Sequence, residues 1–135
     1  MIVFLSCVKQ KNNKECEAKD MYISQLFRKS LKYAKSLNPR KIYILSAKYG
    51  VLELNDKITP YNLTLNTMTK IQKKQWAYNC YLKLKEKKVD FLEDAVFLCG
   101  ENYRKYLRQC FKNSRCPIEN LSLGNQLKFY NKMEV

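Results

Sequence analysis

Three short runs, residues 1–6, 41–46 and 95–99, are rich in β-branched and aromatic side chains, and none of them alternates apolar with polar. A strand with one wet face shows that alternation, whereas a strand covered on both faces has no use for it. The runs therefore predict a buried, mostly parallel sheet. Parallel neighbours need long crossovers, and the segments between the runs carry helical periodicity.

Residues 21–37 place Ile23, Phe27, Leu31 and Ala34 on one stripe, and Asn38-Pro39 ends that helix. A second helix is predicted over residues 69–88, capped by Thr67 or Thr69 and carrying Ile71, Trp76, Cys80 and Leu84. A third, over residues 101–112, follows Gly100 and aligns Tyr103, Leu107, Cys110 and Phe111. Pro117 then introduces a fourth strand and Gly124 a terminal helix. The order β-α-β-loop-α-β-α-β-α predicts an α/β three-layer sandwich, with a mostly parallel central sheet of about four strands and helices on both faces. No repeat or Gly/Ser linker interrupts it, so residues 1–135 are expected to form a single domain.

The chain has 26 Lys plus Arg against 12 Asp plus Glu, a formal net charge of +14. A folded body this basic attracts polyanions, so the expected partner is a nucleic acid, a nucleotide or a nucleobase. No apolar window approaches the length of a bilayer crossing and the opening lacks a charged leader, which points away from membranes and towards the cytoplasm. In that reducing setting the six cysteines are expected to be free thiols. Histidine is absent and no CxxC pair occurs, so imidazole catalysis is excluded, the common zinc spacings are missing, and no metal or cofactor is expected.

In sheets of this kind ligands settle beyond the carboxyl ends of the strands. Those ends are Ser6-Cys7-Val8-Lys9, Ser46-Ala47-Lys48-Tyr49-Gly50 and Cys99-Gly100-Glu101-Asn102. Gly50 permits positive φ, Pro60 fixes the following loop, and Lys48, Tyr49, Tyr61 and Asn62 supply donors for an anion and rings for a base. Asp56 can orient a water; the same residues equally describe a strand-end turn. From Met21 through Leu52 there is no acidic residue. Arg28, Lys29, Lys32 and Lys35 lie there, on a helix whose basic face can follow a phosphate backbone or simply be solvated.

The stretch Leu45 to Leu52, followed by Asp56, Ile58, Pro60, Tyr61 and Leu63, resembles the motif of the YaaA peroxide-stress proteins, which are larger and bind DNA. A wider likeness is to a family of small bacterial and phage proteins. It is carried by Ser6, Cys7, Lys9 and Lys11, then Ala18, Tyr22, Ser24, Leu26 and Phe27, the 46–50 and 60–61 segments, Gly100 with Tyr103, and Leu123 to Leu127. That family is in turn distantly similar to the uracil-DNA-glycosylase-like domain of archaeosine-synthesis proteins. The resemblance implies handling of a base or its glycosidic bond, an analogy at the level of fold.

Hydrolysis of such a bond needs a positioned water, a group to orient it and donors for the departing base, roles that Asp56, Asn62, Lys48 and Ser46 can fill. Cys7, close in sequence to Lys9 and Lys11, is a candidate nucleophile or else a structural thiol. The expected catalytic set is thus Asp56, Cys7 and Ser46, with Ser6, Lys9, Lys48, Tyr49, Gly50, Pro60, Tyr61 and Asn62 binding substrate. The charge alone also fits a non-catalytic DNA- or RNA-binding module, and a protein that docks on an acidic partner remains a third expectation.

Overall fold

The computed structural model describes residues 1–134. In chain order its elements are β1 (Ile2–Ser6), β2 (Cys16–Glu17), α1 (Ala18–Met21), α2 (Gln25–Ser36), β3 (Lys41–Ser46), β4 (Gly50–Glu53) and β5 (Lys57–Ile58). A single 3-10 turn at Leu65–Thr67 leads to α3 (Lys70–Glu86), β6 (Ala95–Leu98) and α4 (Glu101–Arg104). A second 3-10 turn, Leu107–Cys110, precedes β7 (Ser114–Arg115) and α5 (Leu123–Met133).

The main sheet has five strands in the order β4-β3-β1-β6-β7, one more than the four expected. β1 pairs in parallel with both β3 and β6, and β7 with β6, while β4 returns antiparallel along β3. The three apolar runs are thus the three central strands. Ile2, Val3, Phe4 and Leu5 are all fully buried, so both faces of β1 are covered, as its lack of alternation requires. On one face Phe4 stacks on Phe97 at 4.8 Å and the aromatic packing continues through Phe111 and Phe91 to Tyr81 of α3. The opposite parity, Leu5 and Leu98, faces the layer of α2 and α5, where Tyr33 and Tyr130 meet at 5.7 Å.

Four local expectations need correction, one of them Ile71, which is exposed instead of sharing the buried stripe of the second helix. The first long helix begins at Gln25 and not at Met21, because the Ser24 side chain accepts the Phe27 N–H and caps it there. Ile23 accordingly stands outside the buried stripe and is exposed, while Phe27, Ser30 and Ala34 form that stripe. The third helix breaks after Arg104 into a 3-10 turn, and the last strand precedes Pro117 rather than following it. The second helix keeps its predicted cap: Thr69 and Gln72 exchange side-chain-to-backbone bonds in a complete capping box.

A separate two-stranded sheet positions the site. β5 pairs antiparallel with β2 through Cys16↔Ile58 and Glu17↔Lys57, and Lys11 bridges Tyr22. These pairings fold the segment after β1 against the segment after β4. Among the described residues no helix is long and apolar enough to cross a membrane.

Candidate functional site

From β1 the chain crosses to β3 on one side and, after β4, returns past β1 to β6 on the other. The strand order therefore reverses at β1, and a crevice opens beyond its carboxyl end. A cavity of about 210 Å³ lies there, lined by Ser6 at the end of β1 and Cys7 just past it, Gly100 and Tyr103 after β6, Asn66 from the intervening loop and Gln126 from α5. No charged side chain lines it. Its polar groups are hydroxyl, thiol and amide, and its rings come from Phe27, Tyr103 and Tyr130, a lining suited to a neutral planar guest.

Cys7 forms one wall and is nearly buried. Its thiol donates to the Tyr103 hydroxyl at 3.2 Å, which also accepts the Leu65 N–H at 3.4 Å. Burial raises the Tyr103 phenol above its usual range, keeping it neutral. The Asn102 amide donates to Asn66 at 2.8 Å and holds the loop against α4.

Ser46 sits at the tip of β3 and is fully buried. Its hydroxyl donates to Tyr61 at 2.8 Å and accepts the Tyr49 N–H at 3.1 Å. Tyr61 shares a 2.7 Å bond with Tyr22, made possible by the β2–β5 pairing that draws the two loops together. Burial pushes Tyr22 up to about 12 and Tyr61 higher still. The Lys11 ammonium lies 4.7 Å from the Tyr61 ring centre, and Lys48 lies 5.2 Å from that of Tyr49. The Tyr49 hydroxyl sits 2.9 Å from the Thr59 hydroxyl; that bond, with Lys48 close by, lowers the Tyr49 phenol from its usual value. Gly50 takes φ of 74°, the left-handed turn expected of it.

The predicted residues thus separate. Ser6 and Cys7 line the crevice, while Ser46, Lys48, Tyr49, Gly50 and Tyr61 stand at the same end of the sheet without lining it, with Lys48, Tyr49 and Gly50 lining a groove against α3. Lys9, after β1, and Pro60 and Asn62, after β5, are exposed in loops. Asp56 stands elsewhere, since β4 carries the chain back along β3 and its carboxylate accepts the Glu53 N–H at 2.8 Å. It lies in a groove with Arg40 and Lys41, at the amino end of β3. On α2, Arg28, Lys32 and Lys35 are exposed and flank a shallow groove, whereas Lys29 is mostly covered and approaches Glu134 at 3.5 Å. Among the described residues no three His, Cys, Asp or Glu side chains gather as metal ligands.

Tyr22, Tyr103, Asn66 and Gln126 were not among the predicted site residues. Tyr103 lies just past the tip of β6, a signal that marks it, whereas Tyr22 stands far in sequence from any tip of the main sheet and arrives through the β2–β5 pairing. Asn66 and Gln126 reach the crevice only through tertiary packing.

The molecule is therefore an α/β protein with a neutral crevice at its topological switch point and lysines on the neighbouring loops. The chain belongs to the Family of unknown function (DUF6884), whose pattern matches residues 2–132. No match was found among curated proteins.

Proposed function

We propose that the protein binds nucleic acid, or a nucleotide derived from it, at the carboxyl end of its sheet. The carrying observation is the nearness of unlike surfaces there: Lys9 and Lys11 follow Cys7 and Val8, which line a crevice with no charge of its own, and Lys48 follows the tip of β3, where it lines a neighbouring groove with Tyr49 and Trp76. Phosphates suit the lysines, and a neutral ring suits the crevice. The net charge of +14 and the resemblance of residues 45–63 to a DNA-binding family add to this reading. The test is fluorescence anisotropy of a labelled duplex and a labelled single strand over a salt series, with wild type and the Lys9→Ala/Lys11→Ala/Lys48→Ala variant. Removing three phosphate contacts should lower the slope of log affinity against log salt by about 2 to 3. An unchanged slope sinks the lysine assignment.

Chemistry on a base is the second reading, favoured by the Cys7 thiol in the crevice wall. Ser46 and Asp56 contribute less to it: the Ser46 hydroxyl is buried with both its bonds made, and the Asp56 carboxylate is engaged a strand's length away. Incubating modified DNA or nucleosides with wild type and Cys7→Ser separates the readings. Base release that Cys7→Ser abolishes favours the enzyme, and unchanged release removes Cys7 from it.

A further inference from the structure

On the far side of the sheet from the crevice, α3 carries Lys74, Tyr78, Tyr81 and Lys85, spaced by four, three and four residues and so aligned along one face. Tyr106, just before the second 3-10 turn, and Gln109 within it line the same shallow groove, about 360 Å³ in volume, and Lys105 stands beside Tyr106. The rings and ammonium groups are interleaved: Lys74 and Lys105 each lie 5.6 Å from the Tyr106 ring centre, and Lys85 lies 5.6 Å from that of Tyr81. Tyr78 is 55% exposed with its ring 6.3 Å from Tyr81.

A core-facing helix hides its aromatic rings and sends its lysines to water. Here both kinds of group share an open face, and α3 has five lysines against the single carboxylate of Glu86. Among the described residues none of Lys74, Lys85 and Lys105 is paired with a carboxylate. We infer that this face binds a single-stranded polynucleotide, with bases stacked on Tyr78 and Tyr106 and phosphates held by Lys74, Lys85 and Lys105. Charge selects a polyanion over a protein helix, and the exposed ring of Tyr78, with the half-buried ring of Tyr106 beside it, selects unpaired bases over a duplex, whose base faces are already stacked. The stripe from Lys74 to Lys85 spans about 16 Å at about 1.5 Å per helical residue, enough for a few nucleotides. Because stacking needs only a π-face, the surface should tolerate any sequence.

This inference rests on the nucleic-acid reading above but uses different residues, so the two can fail separately. The probes are a labelled 15-nucleotide oligothymidylate, an abasic strand of equal length and a duplex of equal length, measured by anisotropy at low salt. Wild type should bind the oligothymidylate about tenfold or more tightly than the abasic strand, since one stacked base contributes roughly that factor. Tyr78→Ala combined with Tyr106→Leu should erase that preference while leaving duplex binding within about twofold. Lys74→Glu/Lys105→Glu, which keeps the rings and alters only surface charge, should weaken all three probes.

Equal affinity of wild type for the oligothymidylate and the abasic strand overturns the inference, as does a Tyr78/Tyr106 variant that keeps the preference with an unchanged melting temperature. If duplex binding through Lys9, Lys11 and Lys48 survives either result, the general reading stands without this one. If no probe binds at low salt, both fall.

Discussion

The indole N–H of Trp76 donates to the backbone carbonyl of Ser46 at 2.9 Å, joining the middle of α3 to the tip of β3. Both groups are buried, and the same serine orders Tyr49 and Tyr61 through its hydroxyl. One bond thus links the packing of a long helix to the strand tip beside the candidate site.

Trp76→Phe removes that donor from the buried Ser46 carbonyl. The lost bond costs about 1 kcal/mol, and the smaller ring adds a packing loss. The variant should unfold at lower denaturant concentration by far-UV circular dichroism, a probe chosen because Trp76 is the only tryptophan. An unchanged midpoint would mean that the bond carries no net stability.

Gly50 closes the turn between β3 and β4 with φ of 74°. A Cβ built there would meet only the Cys80 sulfur, at 3.8 Å, an ordinary contact. Any cost of Gly50→Ala is therefore conformational rather than steric crowding, about 1 to 2 kcal/mol for a left-handed L-residue. Gly50→Asn should cost less, because asparagine tolerates that region. Thermal melts of the two variants test the ranking; equal losses would point to the pocket beside Cys80 instead.

The central strands were legible because burial on both faces leaves a continuous apolar run, which Ile2 to Leu5 and Ala95 to Leu98 display. The cap at Thr69 was legible because it is local. β2, β5 and β7 were not, since each is two residues long and exists only through a distant partner, as Cys16 does through Ile58. The same limit governs the site. A strand tip and its following turn place Ser46, Tyr49 and Gly50 together by sequence alone, but no local pattern says that β4 runs back along β3 and takes Asp56 with it.

Acid should loosen the amino end of the sheet. Hydrogen bonds from Arg40 hold the Glu93 carboxyl near 2 instead of its ordinary 4.5, aided by the amino group of Met1 and opposed by burial. Lys41 and Lys87 do the same for Glu53, also near 2. Both folded values lie below the unfolded ones, so the unfolded chain binds more protons between pH 2 and 4.5. Their contribution is present above about pH 4.5 and is lost as pH falls towards 2. Because solvent screens these pairs, each should contribute about 1 kcal/mol or less. Glu93→Gln should lower stability at pH 7 and flatten its decline in acid; an equally steep decline would assign it to other groups.

Asp56 offers the sharpest separation of scaffold from site. Its carboxylate accepts the Glu53 N–H at 2.8 Å, its own N–H bonds to the Glu53 carbonyl at 3.1 Å, and its carbonyl accepts the Ala18 N–H at 2.7 Å. The side chain closes the turn between β4 and β5, a role asparagine can fill with its amide oxygen and alanine cannot. Asp56→Ala should therefore cost about 1 kcal/mol by denaturant titration and Asp56→Asn only a few tenths. Neither should change oligonucleotide affinity by more than about twofold, since the lysines of the loops after β1 and β3 and the groove on α3 are untouched. A large loss of binding or base release in Asp56→Asn, with stability intact, would return this carboxylate to the site and require the β4–β5 turn to approach the crevice.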